Sequence, residues 1–515
     1  MISSQYLGDV ADAALDLWKE ESDISRLEPL LSLARSQLEG IRVDLDFAPY
    51  LSDRNSPLAR KLVSALRAVA LIRPGSTVLS SGFGAIGRPS VFYRALSCAA
   101  RRRKRPLRLT WITVSAAGAR GRAEGSLEEL AEPGLIARYI SGHIETVKAF
   151  FPLAESGQMI IHTLPQGVMT SLIAAQAEGV FPLQSPVGIG TFLDPMLGGT
   201  SLVCGKDQSL IERMSGELVY HLPPIEVALI SAASVDEQGN LYCEGAAALS
   251  EIAEAARAAK KNNGLVIAAV GGIRREDTEK IFLPESLIDH IVVHPGIEQV
   301  AGIPVRKYWD IFTPKSAALP ASKFKRAYVA LKFANAAAAI TPARGETDQV
   351  LARTAATLLA GCIRSGDLVN IGVGLPEEVA GIFCEAGLAG EVLFSVESGA
   401  LGGIPAPGLF FGSAIHPQAL ESSRATFERY RRALPAAVLG FLQIDGAGNV
   451  NVSRRGPHTS NVVGPGGFID ICEAARTIIF VGNWTVRGKT IVEDGSLKII
   501  SHGVPKLVPV LHEVT

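Results

Sequence analysis

Arg73-Pro74-Gly75-Ser76-Thr77-Val78, leading into the Gly-rich turn Gly82–Pro89, is the stretch on which the fold turns. A tight turn feeds a short apolar run, a second turn rich in Gly follows, and Pro89 then opens a helical pattern. That order reads as strand, turn and helix, the repeating unit of a parallel sheet. The unit recurs. Arg364-Ser365-Gly366-Asp367-Leu368-Val369 echoes it and leads into Gly372–Pro376. A second pair of echoes follows in the same order: Val235-Asp236-Glu237-Gln238-Gly239-Asn240-Leu241 and Ile444-Asp445-Gly446-Ala447-Gly448-Asn449-Val450. Echoes in one order point to duplicated α/β domains; chance similarity of strand-to-helix turns is the bland alternative.

Between the echoes, short apolar runs alternate with helical stretches: Leu109–Ile112, Met159–Ile161, Val227–Ser231, Leu265–Val270 and Ile291–Val293. The expected fold class is therefore α/β, two related open domains with mostly parallel sheets. Residues 1–71 read as a helical extension, with apolar spacing at Val10, Ala14, Leu15 and Trp18, then Ile24–Leu33, then a helix opened by Pro57 and running to about Ile72. The first domain is expected over 72–303. Residues 304–347 read as a linker, because Pro304, Pro314 and Pro320 accompany a weak pattern. The second domain is expected over 348–515, beginning with a helix at Gln349–Cys362.

Composition narrows the function. A 515-residue chain exceeds one ordinary core. Hydrophobic residues make up 47% and charged residues 20%, which is globular composition. A net charge of −1 gives no global attraction to nucleic acid or anionic membrane, and neither is an expected partner. The cysteines Cys98, Cys204, Cys243, Cys362, Cys384 and Cys472 have no metal-ligand spacing, so no metal is expected and reduced thiols in the cytoplasm fit best. The N-terminus has neither the basic flank nor the apolar run of a signal peptide.

Two stretches could carry chemistry. Gly82-Phe83-Gly84-Ala85-Ile86-Gly87 has the G-x-G-x-x-G spacing that presents N–H groups to a phosphate. A dinucleotide site also wants an acid about 20 residues on. Ser97–Arg105 holds none and runs basic, which favours a packing turn. The basic run Arg101–Arg105 itself reads as a solvated helix end, with binding of a phosphate as the sharper reading. The second stretch is Leu393-Phe394-Ser395-Val396-Glu397-Ser398-Gly399-Ala400-Leu401-Gly402-Gly403-Ile404-Pro405. An apolar strand ends on a carboxylate, at the strand end where parallel sheets bind ligands. Desolvation there would make Glu397 reactive. Spacing alone leaves two readings open: a reactive carboxylate, or a Glu that caps a helix or pairs with an Arg. His162, His294 and His416 read as structural.

Val396-Glu397-Ser398-Gly399 with Gly402-Gly403 resembles the nucleophile motif of class I CoA transferases, in particular the fused-chain acetate or 3-oxoacid branch. The resemblance covers roughly residues 72–515. It also rests on Gly82–Pro89, Leu164-Pro165-Gln166-Gly167, Gly190–Pro195 with Gly198-Gly199, Asn370–Gly374 and Gly464–Asp470, all in order. It implies that Glu397 is a covalent nucleophile in a ping-pong reaction through a glutamyl-CoA thioester. It further implies that Gln166, Gly466 and Gly467 stabilise the oxyanions, and that Gly82, Gly84, Gly372, Gly374, Gly399, Gly402 and Gly403 line the substrate and CoA channel. CoA would be a substrate, with no permanently bound cofactor, and relatives form dimers or tetramers. Acyl-CoA hydrolysis on the same scaffold and a non-catalytic scaffolding homologue are the competing readings. The chain departs from the family pattern in three places. Arg431-Arg432-Ala433-Leu434-Pro435 stands where this branch usually carries a glycine triplet, with reshaping of the acyl pocket or of the loop's packing as the expected consequence. Relatives continue beyond the position of Thr515. Residues 1–71 have no family counterpart.

Overall fold

A computed structural model of the chain describes residues 55–103, 107–121, 125–294, 309–314, 321–337, 344–456, 458–511 and 513–515. The helices expected before Asn55 lie outside the described residues.

Two α/β units are present. The first is built on a sheet in the order His290–Val293, Leu265–Ile273, Val227–Val235, Thr77–Ser80, Leu109–Thr113, Ile136–Ser141, Ile160–Thr163, Leu202–Cys204. All pairings along this path are parallel except the last, and Leu241–Tyr242 adds an antiparallel arm to Val227–Val235. The pleat sends alternate residues to opposite faces. Val78 and Trp111 face one core, beneath the helix Ser90–Arg103, while Leu79 and Ile112 face another, shared with the helices Gln166–Glu178 and Ile252–Lys261. Helices cover both faces, so the strands read as near-continuous apolar runs rather than alternating ones.

The second unit repeats the plan on a smaller sheet, in the order Ala419–Leu420, Ala400–Leu401, Leu393–Ser395, Leu368–Ile371, Leu434–Leu439, Ala475–Phe480. Its central strands are parallel, and the hairpin arms at 400–401 and 419–420 are antiparallel. In both units the chain lays strands to one side of its first strand, then returns to lay strands on the other side. That reversal leaves a crevice at the carboxyl ends of the strands. Among the described residues no helix is long and apolar enough to cross a membrane.

Three expectations about the connecting segments are corrected. The helix opened by Pro57 stops at Lys61, because Leu62 pairs with Ile291 at the edge of the first sheet, and a separate helix runs Ala65–Val69. Leu58, Ala65, Ala68 and Val69 are buried in the first unit's cores, so that unit begins well before residue 72. The stretch read as a linker carries a 17-residue helix, Ala321–Ala337, which buries Tyr328 and Leu331 in the second unit's core. Trp309, Phe312 and Phe410 form an aromatic cluster beside it, with ring centroids 5.6–6.1 Å apart. The prolines flank this helix rather than interrupt it.

Candidate active site

Glu397 sits two residues beyond the end of the strand Leu393–Ser395 and is 7% exposed. A tight turn holds it: Val396 N–H donates to Ala400 O at 3.2 Å, and Gly399 N–H donates to Val396 O at 3.1 Å. Gly399 is required here. Its φ is +107°, and a Cβ would lie 1.8 Å from Glu421 O. Ser398 anchors the turn from beneath by donating its hydroxyl to Gly412 O at 2.5 Å.

The neighbouring strand places Asn370 opposite Ser395. Asn370 Nδ2 donates to Tyr430 Oη at 3.1 Å, and Tyr430 and Ser395 share a hydroxyl hydrogen bond at 2.6 Å. Burial is the main influence on Glu397 and pushes its carboxyl up to about 7; interaction with the Asn370 side chain works the other way. Among the described residues, Glu397 Oε2 is buried without a hydrogen-bond partner, and so is Asn370 Oδ1.

The first unit supplies the opposite wall. Gln166 is the first residue of the helix Gln166–Glu178, is 3% exposed, and its Nε2 has no partner among the described residues. The loop Gly464–Gly467 is stitched to it: Gln166 N–H donates to Gly466 O at 2.8 Å, and Gly466 N–H donates to Gly142 O at 2.7 Å. The Gly466 N–H is therefore engaged and unavailable to an oxyanion. Gly467 N–H has no acceptor among the described residues. An added Cβ on Gly467 would lie 3.2 Å from Glu397 Cγ and 3.3 Å from Oε1, so this backbone lies against the carboxylate. Asp470, one turn further on, accepts from Gly167 N–H at 2.9 Å through Oδ2, while Oδ1 is buried and unpaired. Burial raises its carboxyl to about 7, opposed by the Gly167 N–H and Arg431. Buried polar groups normally find partners. Here a carboxylate oxygen, an amide N–H₂ and a backbone N–H are left open on one rim.

Several of the glycines expected to line the channel have their N–H groups engaged within the protein. Gly82 N–H donates to Glu251 Oε1 at 3.2 Å, and Gly84 N–H to Ala116 O at 2.8 Å. Phe83 and Ile86 also exchange N–H···O bonds within the turn, and Phe83 packs on Gly412 behind the Glu397 loop. Gly372 N–H is bonded to Val438 O, and Gly374 N–H to Glu377 Oε1. Gly402 and Gly403, both at positive φ, let the 415–418 segment approach too closely for any Cβ. In the Arg431–Pro435 stretch, Arg431 Nη2 donates to Ser171 Oγ of the helix Gln166–Glu178 at 3.2 Å. The helix Ser423–Arg432 runs to its end there, and Leu434 begins a strand at the amino edge of the sheet, opposite Glu397. A cavity between Leu368, Leu393, Arg429 and Arg432 lies at that same far edge.

Residues 63–294 match the family model described as Coenzyme A transferase. Caffeate CoA-transferase of Acetobacterium woodii is 32% identical over 472 residues, spanning 88% of this chain and 84% of that protein. The acetate CoA-transferase YdiF of Escherichia coli is 29% identical over 472 residues, spanning 88% and 82%. The solved structure of the Escherichia coli acyl-CoA transferase YdiF, as a thioester complex with CoA, aligns at a TM-score of 0.74 and 27% identity, over 88% of this chain and 83% of that one. The chain belongs to the coenzyme A transferase family.

Proposed function

We propose that this CoA transferase moves CoA from an acyl-CoA to a free carboxylate through a glutamyl-CoA thioester on Glu397. The carrying observation is the buried Glu397 carboxylate, which lies against the Gly467 backbone and whose Oε2 has no hydrogen-bond partner among the described residues. The carboxylate oxygen attacks the thioester carbonyl carbon and gives a tetrahedral oxyanion. Collapse expels CoA thiolate and leaves a mixed anhydride between Glu397 and the acyl group. The thiolate then attacks the Glu397 carbonyl carbon, the acid departs as a carboxylate, and the glutamyl-CoA thioester remains. An acceptor carboxylate runs the same steps in reverse. Thioester and anhydride are close in energy, so the exchange needs no nucleotide hydrolysis.

Each oxyanion needs donors already in place. The Gly467 N–H and the Gln166 amide are the donors this reading assigns, and among the described residues neither has another partner to give up. A carboxylate is a weak nucleophile, so binding of the remote parts of CoA must contribute to the barrier at the thioester. Exposed Ile499, Ile500, Val504 and Leu507 near the C-terminus support the expectation of a homo-oligomer. The test is to incubate the protein with an acyl-CoA and reduce with borohydride. Glu397 should be converted to its alcohol in the wild-type peptide, and no modification should occur in Glu397→Ala. Turnover that survives Glu397→Ala, with no modified peptide, would overturn the proposal.

A further inference from the structure

Two segments from different units meet beside Glu397, and their separation is set by contacts alone. One is the start of the helix Gln166–Glu178. The other is the loop Gly464–Gly467 with the helix Phe468–Ala474 that follows it. The bond from Gln166 N–H to Gly466 O, at 2.8 Å, is a first tie. A single hydrogen bond leaves rotation about its own axis free. The second tie is Gly167 N–H to Asp470 Oδ2, at 2.9 Å. Asp470 stands one helical turn beyond Gly467, and Gly167 adjoins Gln166. With both ties made, orientation is fixed as well as distance.

The second tie is closely fitted. A Cβ on Gly167 would lie 2.4 Å from Asp470 Oδ1 and 2.6 Å from its Cγ, so glycine at 167 is what admits the carboxyl. Phe427 packs against both segments: a Cβ on Gly167 would lie 2.7 Å from its Cδ1, and one on Gly467 3.1 Å from its Cζ. The helix Ser423–Arg432, which carries Phe427, adds Arg431 Nη2 to Ser171 Oγ at 3.2 Å and Arg424 to Glu178 at 2.7 Å. Those contacts lie at the surface and hold loosely. Asp470 is the buried tie, at 3% exposure. Its carboxyl is costly to keep there. Oδ1 has no partner among the described residues, and burial raises the group to about 7 against the opposing charge of Arg431. A buried carboxyl with one oxygen open costs stability, which makes its contribution to packing a poor account of its presence.

We infer that Asp470 is a positioning residue for the reaction at Glu397: it sets the gap between the Gln166 amide and the Gly467 N–H, the two donors assigned to the oxyanion. In this role it acts through those donors rather than on the substrate. The inference rests on the reading of Glu397 as the residue that takes the thioester. Oxyanion donors work over a narrow range, and a misplacement of about 1 Å can cost about a hundredfold in rate. Donor spacing matters as charge develops on the oxyanion, so kcat should carry the loss and KM should not.

The experiment is a kinetic double-mutant cycle on the full chain. Asp470→Ala should lower kcat by about tenfold to a hundredfold, with the KM values for acyl-CoA and acceptor nearly unchanged. Asp470→Asn keeps a side-chain carbonyl to accept the Gly167 N–H and should recover most of the loss. In a Gln166→Ala background, Asp470→Ala should cost no more than about a few-fold, because one of the donors it aligns is already gone. A residue that serves only the fold would instead multiply its effect with that of Gln166→Ala. Gly167→Ala is the second variant where Asp470→Ala does not fold: its methyl group displaces the Asp470 carboxyl and should lower kcat in the same way. Wild-type kcat in Asp470→Ala, full multiplication of the two effects, or a loss confined to KM overturns the inference. Wild-type protein that gives no borohydride-reducible adduct at Glu397 would count against the glutamyl-CoA reading itself. An adduct in the wild type together with an unimpaired Asp470→Ala would sink the positioning role alone.

Discussion

The two units share a scaffold down to single hydrogen bonds, yet only one carries the carboxylate. Asp236 accepts from Asn240 N–H and from Asn240 Nδ2 at 2.9 Å each, while Gly239 N–H closes the turn on Asp236 O at 3.0 Å. Asp445 repeats this with Asn449 N–H and Nδ2 at 3.0 Å each, and with Gly448 N–H at 3.1 Å. The units diverge one strand away from their first strands. Trp111 pairs with Val78, and Phe394 pairs with Val369, at positions matched by the Arg73–Val78 and Arg364–Val369 echoes. Counting on from these pairs, the first unit has Val114 where the second has Glu397. Val114 is 1% exposed and packs in a wholly apolar cluster. The same strand end is used for packing in one unit and for a carboxylate in the other. The first unit contributes to the rim from a different strand, through Gln166. A duplicated topology supplies two crevices, and the interface between units combines parts of both.

The largest expected effect tests that asymmetry directly. Glu397→Gln should lower turnover by roughly ten-thousandfold or more, the scale seen when a covalent nucleophile is removed. Val114→Glu should give no new activity and should destabilise the fold by about 3–5 kcal/mol, because the new charge has no partner. Steady-state kinetics and chemical denaturation measure the two. A Val114→Glu protein of wild-type stability would mean that the two strand ends do not differ as described.

Removing the first unit's contribution comes next. Gln166→Ala should lower kcat by about a hundredfold to a thousandfold, as for other lost oxyanion donors. The KM for the acceptor acid should change little. A fall in acceptor affinity with kcat intact would make Gln166 a substrate-binding residue instead.

Legibility in the sequence followed the range of the interaction. The apolar run into Glu397 and the Gly-rich turns are local, and their pattern is visible without a structure. The helix start at Gln166 is not, because its N-cap is Pro165, which makes no side-chain cap. Asn370 and Asp470 were part of motifs, but their roles come from partners far away in sequence. Tyr430 stands 60 residues from Asn370, and Gly167 stands 303 from Asp470. The helix Ala321–Ala337 was hidden by flanking prolines and by an Ala-rich pattern with little contrast between its faces.

The rim should also set opposing trends with pH. Glu397 and Asp470 are raised to about 7, chiefly by burial, while their ordinary values lie near 4.5 and 3.8. Between those values the folded chain holds protons that the unfolded chain has released. Stability from these groups is therefore present below their unfolded values and is lost as pH rises through about 7. Activity runs the other way, since attack needs the Glu397 carboxylate, and kcat/KM should climb through about pH 7. For Glu397 the loss should be about 3 kcal/mol. Glu397→Gln should flatten the decline seen by denaturation between pH 5 and 8. An equally steep decline in that variant would assign the pH dependence to other carboxyls.

The smallest effect concerns the paired turns, where the units look most alike. Asp236 is fully buried and also accepts from Tyr242 Oη at 2.7 Å. Asp236→Ala removes the acceptor of the buried Asn240 amide and of the buried Tyr242 hydroxyl proton, and should cost about 2 kcal/mol. Asp445 lacks that tyrosine, because Asn451 occupies the matching position; its further partners are the Ala447 and Leu511 N–H groups. Asp445→Ala should therefore lower the melting temperature less than Asp236→Ala, and both should leave kcat/KM nearly unchanged. If Asp445→Ala proved the more damaging, the Leu511 contact would be worth more than the Tyr242 contact of the first unit. The C-terminal segment would then be part of what holds the second unit together.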